Sequence, residues 1–164
     1  MVPICTVLLV ENNPDDVRLV ELAFEKGRVR HCLRAVNNGL QAMDYLAGRG
    51  RYADRESFAV PKLILLDLGM PGASGFELLE WLQGEPELRN VPVTVLSGSN
   101  YLRDVTRAYQ LGAKSFLVKP SDLGKFASAI RETTDFWLEG GNSRVTPIFL
   151  QIPSFLALSV KSHS

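Results

Sequence analysis

Two cysteines in 164 residues are too few for a disulfide framework. Cys5 and Cys32 fall in two different expected strands and lack metal-ligand spacing, so two buried, reduced thiols are expected. Excess charge of one sign is also missing. With 18 Lys and Arg against 18 Asp and Glu the formal net charge is zero, which removes any general attraction to nucleic acid or anionic lipid. No window approaches the roughly 20 apolar residues of a membrane-spanning helix. The start, Met1-Val2-Pro3-Ile4-Cys5, lacks the basic segment and long apolar core of a secretory signal. A cytoplasmic protein with no nucleic-acid and no membrane partner is expected. There is no internal repeat, and the composition is that of one ordinary globular domain with a sizeable core.

The stretch that stands out is Lys62-Leu63-Ile64-Leu65-Leu66-Asp67-Leu68-Gly69-Met70-Pro71-Gly72, an unbroken apolar run that delivers one carboxylate to its own end. Such a run reads as a central strand of a parallel sheet covered on both faces. Asp67 then lies at the carboxyl edge of the sheet, where ligands bind in open α/β folds. The plainer alternative is that Asp67 only starts a turn with Gly69, Pro71 and Gly72.

The same unit recurs along the chain. Thr6-Val7-Leu8-Leu9-Val10 is a first buried strand, ending at Glu11 with Asn12 and Asn13 behind it. Asn13 caps a helix with Pro14 at its first position, and Asp15 and Asp16 in its first turn suit the positive end of the helix dipole. Gly27 ends that helix. Residues 29–36 read as a strand near the sheet edge, with His31 in a structural role. Asn38-Gly39 opens a second helix, and the charged residues 48–59 read as a surface insertion. Ser74-Gly75-Phe76-Glu77 matches a capping box at the start of a third helix. Residues 91–99 give a fourth strand, residues 102–111 a helix capped by Ser99 or Asn100, and residues 115–119 a fifth strand ending at Lys119. Ser121 and Asp122 start a last helix that runs to about Leu138.

Five strand-then-helix units with short connections predict an α/β fold, a doubly wound five-stranded parallel sheet with helices on both faces. In such a sheet every strand ends on the same edge. Glu11 with Asn12, Asp67, Ser97 and Lys119 therefore converge from positions more than a hundred residues apart. A carboxylate nucleophile can accept a phosphoryl group as an acyl phosphate if cations offset the incoming negative charge. Mg²⁺, with its preference for oxygen, would be held by Glu11, Asp67 and the backbone carbonyl of Gly69. Lys119 would neutralise a second phosphoryl oxygen and Ser97 would hydrogen-bond a third, with Gly98 leaving room for access.

At these residues the chain resembles the receiver domains of two-component response regulators. The matching elements are Val10-Glu11-Asn12-Asn13-Pro14-Asp15-Asp16, Leu66-Asp67-Leu68-Gly69-Met70-Pro71-Gly72, Val95-Leu96-Ser97-Gly98 and Phe116-Leu117-Val118-Lys119-Pro120. Within the family it is most similar to stand-alone regulators paired with phytochrome-type kinases, through the charged loop at 48–59 and the Asn-Pro-Asp-Asp opening. The resemblance implies a flavodoxin-like strand order 2-1-3-4-5 and a receiver spanning residues 1–139. It implies phosphorylation of Asp67 by a sensor histidine kinase, a Mg²⁺ site at Glu11, position 12, Asp67 and Gly69, and a switch through Ser97, Gly98, Phe116 and Lys119. It also implies a cis Lys119–Pro120 bond, output by protein–protein docking rather than enzymatic turnover, and a reporting surface that includes Arg103, Arg107, Tyr109, Phe116 and Lys125.

One position departs from the family. Receivers carry an acidic pair after the first strand, and the second member, a metal ligand, is matched here by Asn12. A unit charge pair at about 4 Å and an effective dielectric near 20 is worth roughly 4 kcal/mol before desolvation. Weaker Mg²⁺ binding and slower phosphorylation or dephosphorylation are therefore expected. Two other readings stay open: an interaction module independent of phosphorylation, favoured by Asn12, and a haloacid-dehalogenase-like phosphatase, which needs a second acid where position 69 is Gly. Residues 140–164 form an extension with Ile148, Phe149, Leu150, Ile152, Phe155, Leu156 and Leu158, too apolar to be left in water. It is expected to pack back on the domain or to make a homodimer contact, with disorder over 161–164.

Overall fold

The computed structural model of the chain describes residues 3–70, 74–98, 102–119 and 121–140. Five strands, β1 (Thr6–Val10), β2 (Cys32–Val36), β3 (Leu63–Asp67), β4 (Val93–Ser97) and β5 (Ser115–Val118), alternate with five helices. These are α1 (Pro14–Lys26), α2 (Gly39–Ala47), α3 (Ser74–Gln83), α4 (Leu102–Gln110) and α5 (Leu123–Leu138). All pairings are parallel and the order is β2-β1-β3-β4-β5. This is the expected doubly wound sheet, with both central strands, β3 and β4, buried along their whole length.

Because side chains alternate across a strand, each central run serves two cores. Val7, Leu9, Leu63, Leu65, Leu96 and Leu117 meet Val20, Ala23 and Phe24 of α1 and Phe126, Ala127 and Ile130 of α5. Leu8, Val10, Ile64, Leu66, Val93 and Val95 meet Ala42, Tyr45 and Leu46 of α2 and Leu78, Leu79 and Leu82 of α3. One face thus belongs to α1 and α5 and the other to α2, α3 and α4. Thr94 and Ser115, buried between β4 and β5, satisfy each other at 2.6 Å, so neither hydroxyl is left without a partner in the dry interior.

Helix starts follow the side-chain chemistry of their caps. Asn13 accepts from the Asp15 amide at 2.9 Å, Asn38 from Gln41 at 2.8 Å and Asp122 from Lys125 at 3.2 Å. At the end of α1 the left-handed residue is Arg28, φ 55°, and not Gly27, whose φ is −79°. Gly27 is small for a different reason: a Cβ there would lie 2.9 Å from the Ala127 carbonyl oxygen of α5.

Three expectations change. β2 begins at Cys32, since the left-handed turn at Arg28 and the Val29 amide bond to Phe24 O, 2.9 Å, keep residues 29–31 out of the ladder. The cysteines are free as expected but not buried: Cys5 precedes β1 half-exposed and Cys32 is exposed on the edge strand. Residues 48–59 are more than a surface insertion. They include a short 3₁₀ turn (Gly50–Tyr52), bury Tyr52, and build an aromatic cluster of Tyr45, Tyr52 and Phe58 with ring centroids 5.0–6.0 Å apart. Arg55 donates to the carbonyls of Tyr45 and Leu46 in the last turn of α2 at 2.8 Å and to that of Phe58 at 3.2 Å, tying this segment to the helix end. The Ser74 side chain, the caps at Ser99 and Asn100, the Lys119–Pro120 bond and residues 141–164 lie outside what is described.

His31 is buried in the loop before β2. Its Nδ1 accepts the Cys5 amide at 3.0 Å, so the neutral ring carries its proton on Nε2, which faces Glu139 Oε1 at 3.6 Å. Burial lowers its pKa below the ordinary 6.5 and the nearby Arg30 adds to this, while Glu139 and Asp135 pull the other way without winning. The unfolded chain therefore takes up a proton first on acidification, and the stability due to the neutral ring is lost as pH falls from about 6.5 through the folded value. Urea midpoints measured at about pH 7.5 and about pH 5.5 are expected to drop more on acidification in the wild type than in His31→Gln; equal drops would contradict this account.

Candidate functional site

The sheet edge brings four charged side chains to one point. Glu11 follows β1 directly and is 1% exposed, since β1 lies between β2 and β3 and its amide continues the ladder to Val36 O at 3.0 Å. Asp67 is the last residue of β3, also buried. Lys119 follows β5, its amide bonded to Ser97 O at 2.8 Å, and this directs its side chain back across the strand ends. The ammonium donates to Glu11 Oε2 at 3.2 Å and to Asp16 Oδ2 at 3.3 Å, and lies 3.7 Å from Asp67 Oδ2.

Backbone amides hold the two deep carboxylates. Gly69 donates to Asp67 Oδ1 at 2.8 Å and Asn13 donates to Glu11 Oε1 at 3.1 Å. Burial pushes the Glu11 carboxyl up to about 7, and its hydrogen bond with Asp67 pushes the same way, against the Asn13 amide and the Lys119 ammonium. For Lys119 burial favours the neutral amine, but Asp67, Glu11 and Asp16 outweigh it and raise its pKa above the usual lysine value. The amine is thus a fixed positive charge, short of balancing three carboxylates.

Glu11, Asp67 and Lys119 are brought together as their strand-end positions require. Ser97 ends β4 at the same edge, and Gly98 after it is exposed, with open space where a Cβ would stand. Gly69 meets Asp67 through its amide. Phe116 packs on Val105 and Tyr109 of the α4 side and not in the carboxylate cluster. Asn12 is exposed. Asp16, which the sequence assigned only to the helix dipole, is the residue missed. The signal for it was topological: only three residues separate the end of β1 from the start of α1, so its first turn overlies the same edge. The equally acidic Asp15 is exposed, and composition could not choose between them.

Oxygens of Glu11, Asp16 and Asp67 all lie within 4.8 Å of one another. An all-carboxylate donor set of hard oxygens, with no thiolate or imidazole, fits a cation of the Mg²⁺ and Mn²⁺ type. Among the described residues no helix is long and apolar enough to cross a membrane.

Comparison with known proteins agrees with this fold. The family model for the response regulator receiver domain matches residues 7–131. The response regulator Rcp1 of Synechocystis sp. is 35% identical over 133 residues, covering 81% of this chain and 88% of its own. A crystal structure of the Mn²⁺-bound form of Rcp1 superposes with a TM-score of 0.70, at 34% identity, over 87% of this chain and 97% of that one. A response regulator in red light signaling of R. palustris gives a TM-score of 0.80 at 33% identity, covering 87% of this chain and 100% of that one. The phosphorylated cyanobacterial phytochrome response regulator RcpA gives 0.75 at 32% identity, with coverage of 87% and 100%.

A cation that binds only the folded site must stabilise the fold. At a concentration 100 times its dissociation constant, added Mg²⁺ or Mn²⁺ is expected to raise the unfolding free energy by about 2.7 kcal/mol. The rise, read as a shift in thermal midpoint, should shrink in Asp67→Asn and Glu11→Gln; an equal shift in all three proteins would place the cation elsewhere.

Proposed function

The chain belongs to the response regulator receiver family, and from that premise we propose that it is a single-domain response regulator, phosphorylated on Asp67 by a phytochrome-type sensor histidine kinase and signalling by docking. The observation that carries this reading is the approach of the Lys119 ammonium to 3.7 Å from the buried Asp67 carboxylate at the carboxyl edge of the sheet.

In the step this geometry supports, a carboxylate oxygen of Asp67 attacks the phosphorus of a phosphohistidine. The new P–O bond forms as the P–N bond breaks, and the electron pair leaves on the imidazole nitrogen of the donor, which then takes a proton from water. The Gly69 amide holds the orientation of the carboxylate, and Lys119 sits where negative charge arrives. Ser97, at the end of the adjacent strand, supplies a hydroxyl to the phosphoryl oxygens, and exposed Gly98 keeps the entrance open. Glu11 and Asp67, with Gly69 beside them, would hold a divalent cation, which would supply the remaining charge neutralisation.

The output rests on the neighbourhood of Ser97 and Lys119. β5 also carries Phe116, which packs on Val105 and Tyr109, and exposed Arg103, Arg107 and Lys125 lie on the α4 and α5 side of the same strand. Arg107 stacks on Phe76 of α3 at 4.2 Å. New charge at Asp67 biases this packing by its direct pull on Lys119 and Ser97. The receiver spans residues 1–139, the apolar extension 140–164 makes a homodimer contact, and the protein works in the cytoplasm.

Asn12 favours a second reading, an interaction module that works without phosphorylation. The two differ in a direct experiment. With Mg²⁺, acetyl phosphate or an autophosphorylated phytochrome-type kinase is expected to label the wild type on Asp67 and to leave Asp67→Ala unlabelled. Absence of label in the wild type at millimolar Mg²⁺ would favour the module. Truncation after Gly141 is expected to convert a dimer to a monomer by light scattering, and an unchanged mass would remove the extension from the interface.

A further inference from the structure

We propose that Asp16 belongs to the phosphoryl-accepting site and supplies the divalent cation with the carboxylate that Asn12 lacks. The inference rests on the cation site of the preceding reading and goes beyond it by assigning a role to a residue outside the family's acidic pair.

Asn12 and Asp16 differ in where their chain segments leave them. Asn12 stands in the turn after β1 and is exposed, with an amide in place of a charge. Asp16 lies in the first turn of α1, whose start is fixed by Pro14 and by the Asn13 cap on the Asp15 amide. That turn directs Asp16 to the sheet edge, where its oxygen lies within 4.8 Å of those of Glu11 and Asp67. Its Oδ2 accepts from Lys119 Nζ at 3.3 Å, a contact between residues 103 positions apart.

The favourable field of a helix N-terminus does not explain this placement. That field acts on Asp15 as well, yet Asp15 is exposed while Asp16 joins a cluster of nine-tenths buried carboxylates. Without Asp16, Lys119 and the cation would share only Glu11 and Asp67. With it the donor set regains the charge lost at position 12, and its partial exposure lets it turn from the ammonium to an incoming cation without leaving water entirely.

The test uses Mn²⁺ alone, titrated into the full chain with no phosphoryl donor, the free ion being read by its electron paramagnetic resonance signal. Asp16→Asn is expected to weaken binding by at least about tenfold, Asp15→Asn to leave it within about twofold, and Asn12→Asp added to Asp16→Asn to restore it. Restoration shows that the Asp16→Asn change is compatible with the fold. The proposal is overturned if Asp16→Asn binds as the wild type does, if Asp15→Asn loses as much, or if the wild type takes up no Mn²⁺ at millimolar concentration. Labelling of Asp67 by acetyl phosphate is scored separately: Asp16-dependent Mn²⁺ binding without label would sink the phosphorylation reading and leave this one standing.

Discussion

The contact on which the rest depends is that of the Lys119 ammonium with three carboxylates at the mouth of a dry sheet. Bringing such charges out of water is costly, and one amine does not offset three acids. The architecture absorbs that cost by placing the cluster at the ends of strands rather than in their middle. Apolar packing on both sheet faces holds the strands, while Glu11 and Asp67 each keep a backbone amide donor. The surplus of negative charge makes the pocket receptive to cations. Any anion entering the pocket would meet that surplus unless a cation had answered it first.

Parallel order is what allows residues so far apart in sequence to act together. Glu11, Asp67, Ser97 and Lys119 close four different strands, and any antiparallel strand would have sent its last residue to the opposite edge. The buried Thr94 and Ser115 pair helps to hold the β4 and β5 register that sets Ser97 beside Val118, one residue before the lysine.

Most of this could be read from the residues. Apolar runs in β1 and β3, and the largely apolar Val93-Thr94-Val95-Leu96 of β4, announced interior strands, and the polar residue after each announced the edge. What could not be read depended on direction rather than type. Asp15 and Asp16 are equivalent by composition, and only the phase of α1 decides which one reaches Lys119. The burial of Tyr52 and the triple carbonyl contact of Arg55 hid within a segment whose charge suggested solvent. Cys32 was expected inside because it falls within a strand, but that strand, β2, lies at the sheet edge, as residues 29–36 suggested, and keeps most of its side chains in water. His31 showed no pattern at all, because its partner is a backbone amide at Cys5, which sequence does not mark.

The seam between α1 and α5 closes on Gly27, where even a methyl group would collide with the Ala127 carbonyl oxygen. Arg131 stitches the same seam, reaching from α5 to the Gly27 carbonyl at 2.8 Å. The first helix brings acidity to the pocket at one end, and at its other end it is bolted to the last helix of the domain. The two helices thus cover their face of the sheet as one packed layer, joined by apolar contacts along their length and by this polar stitch at the end remote from the pocket.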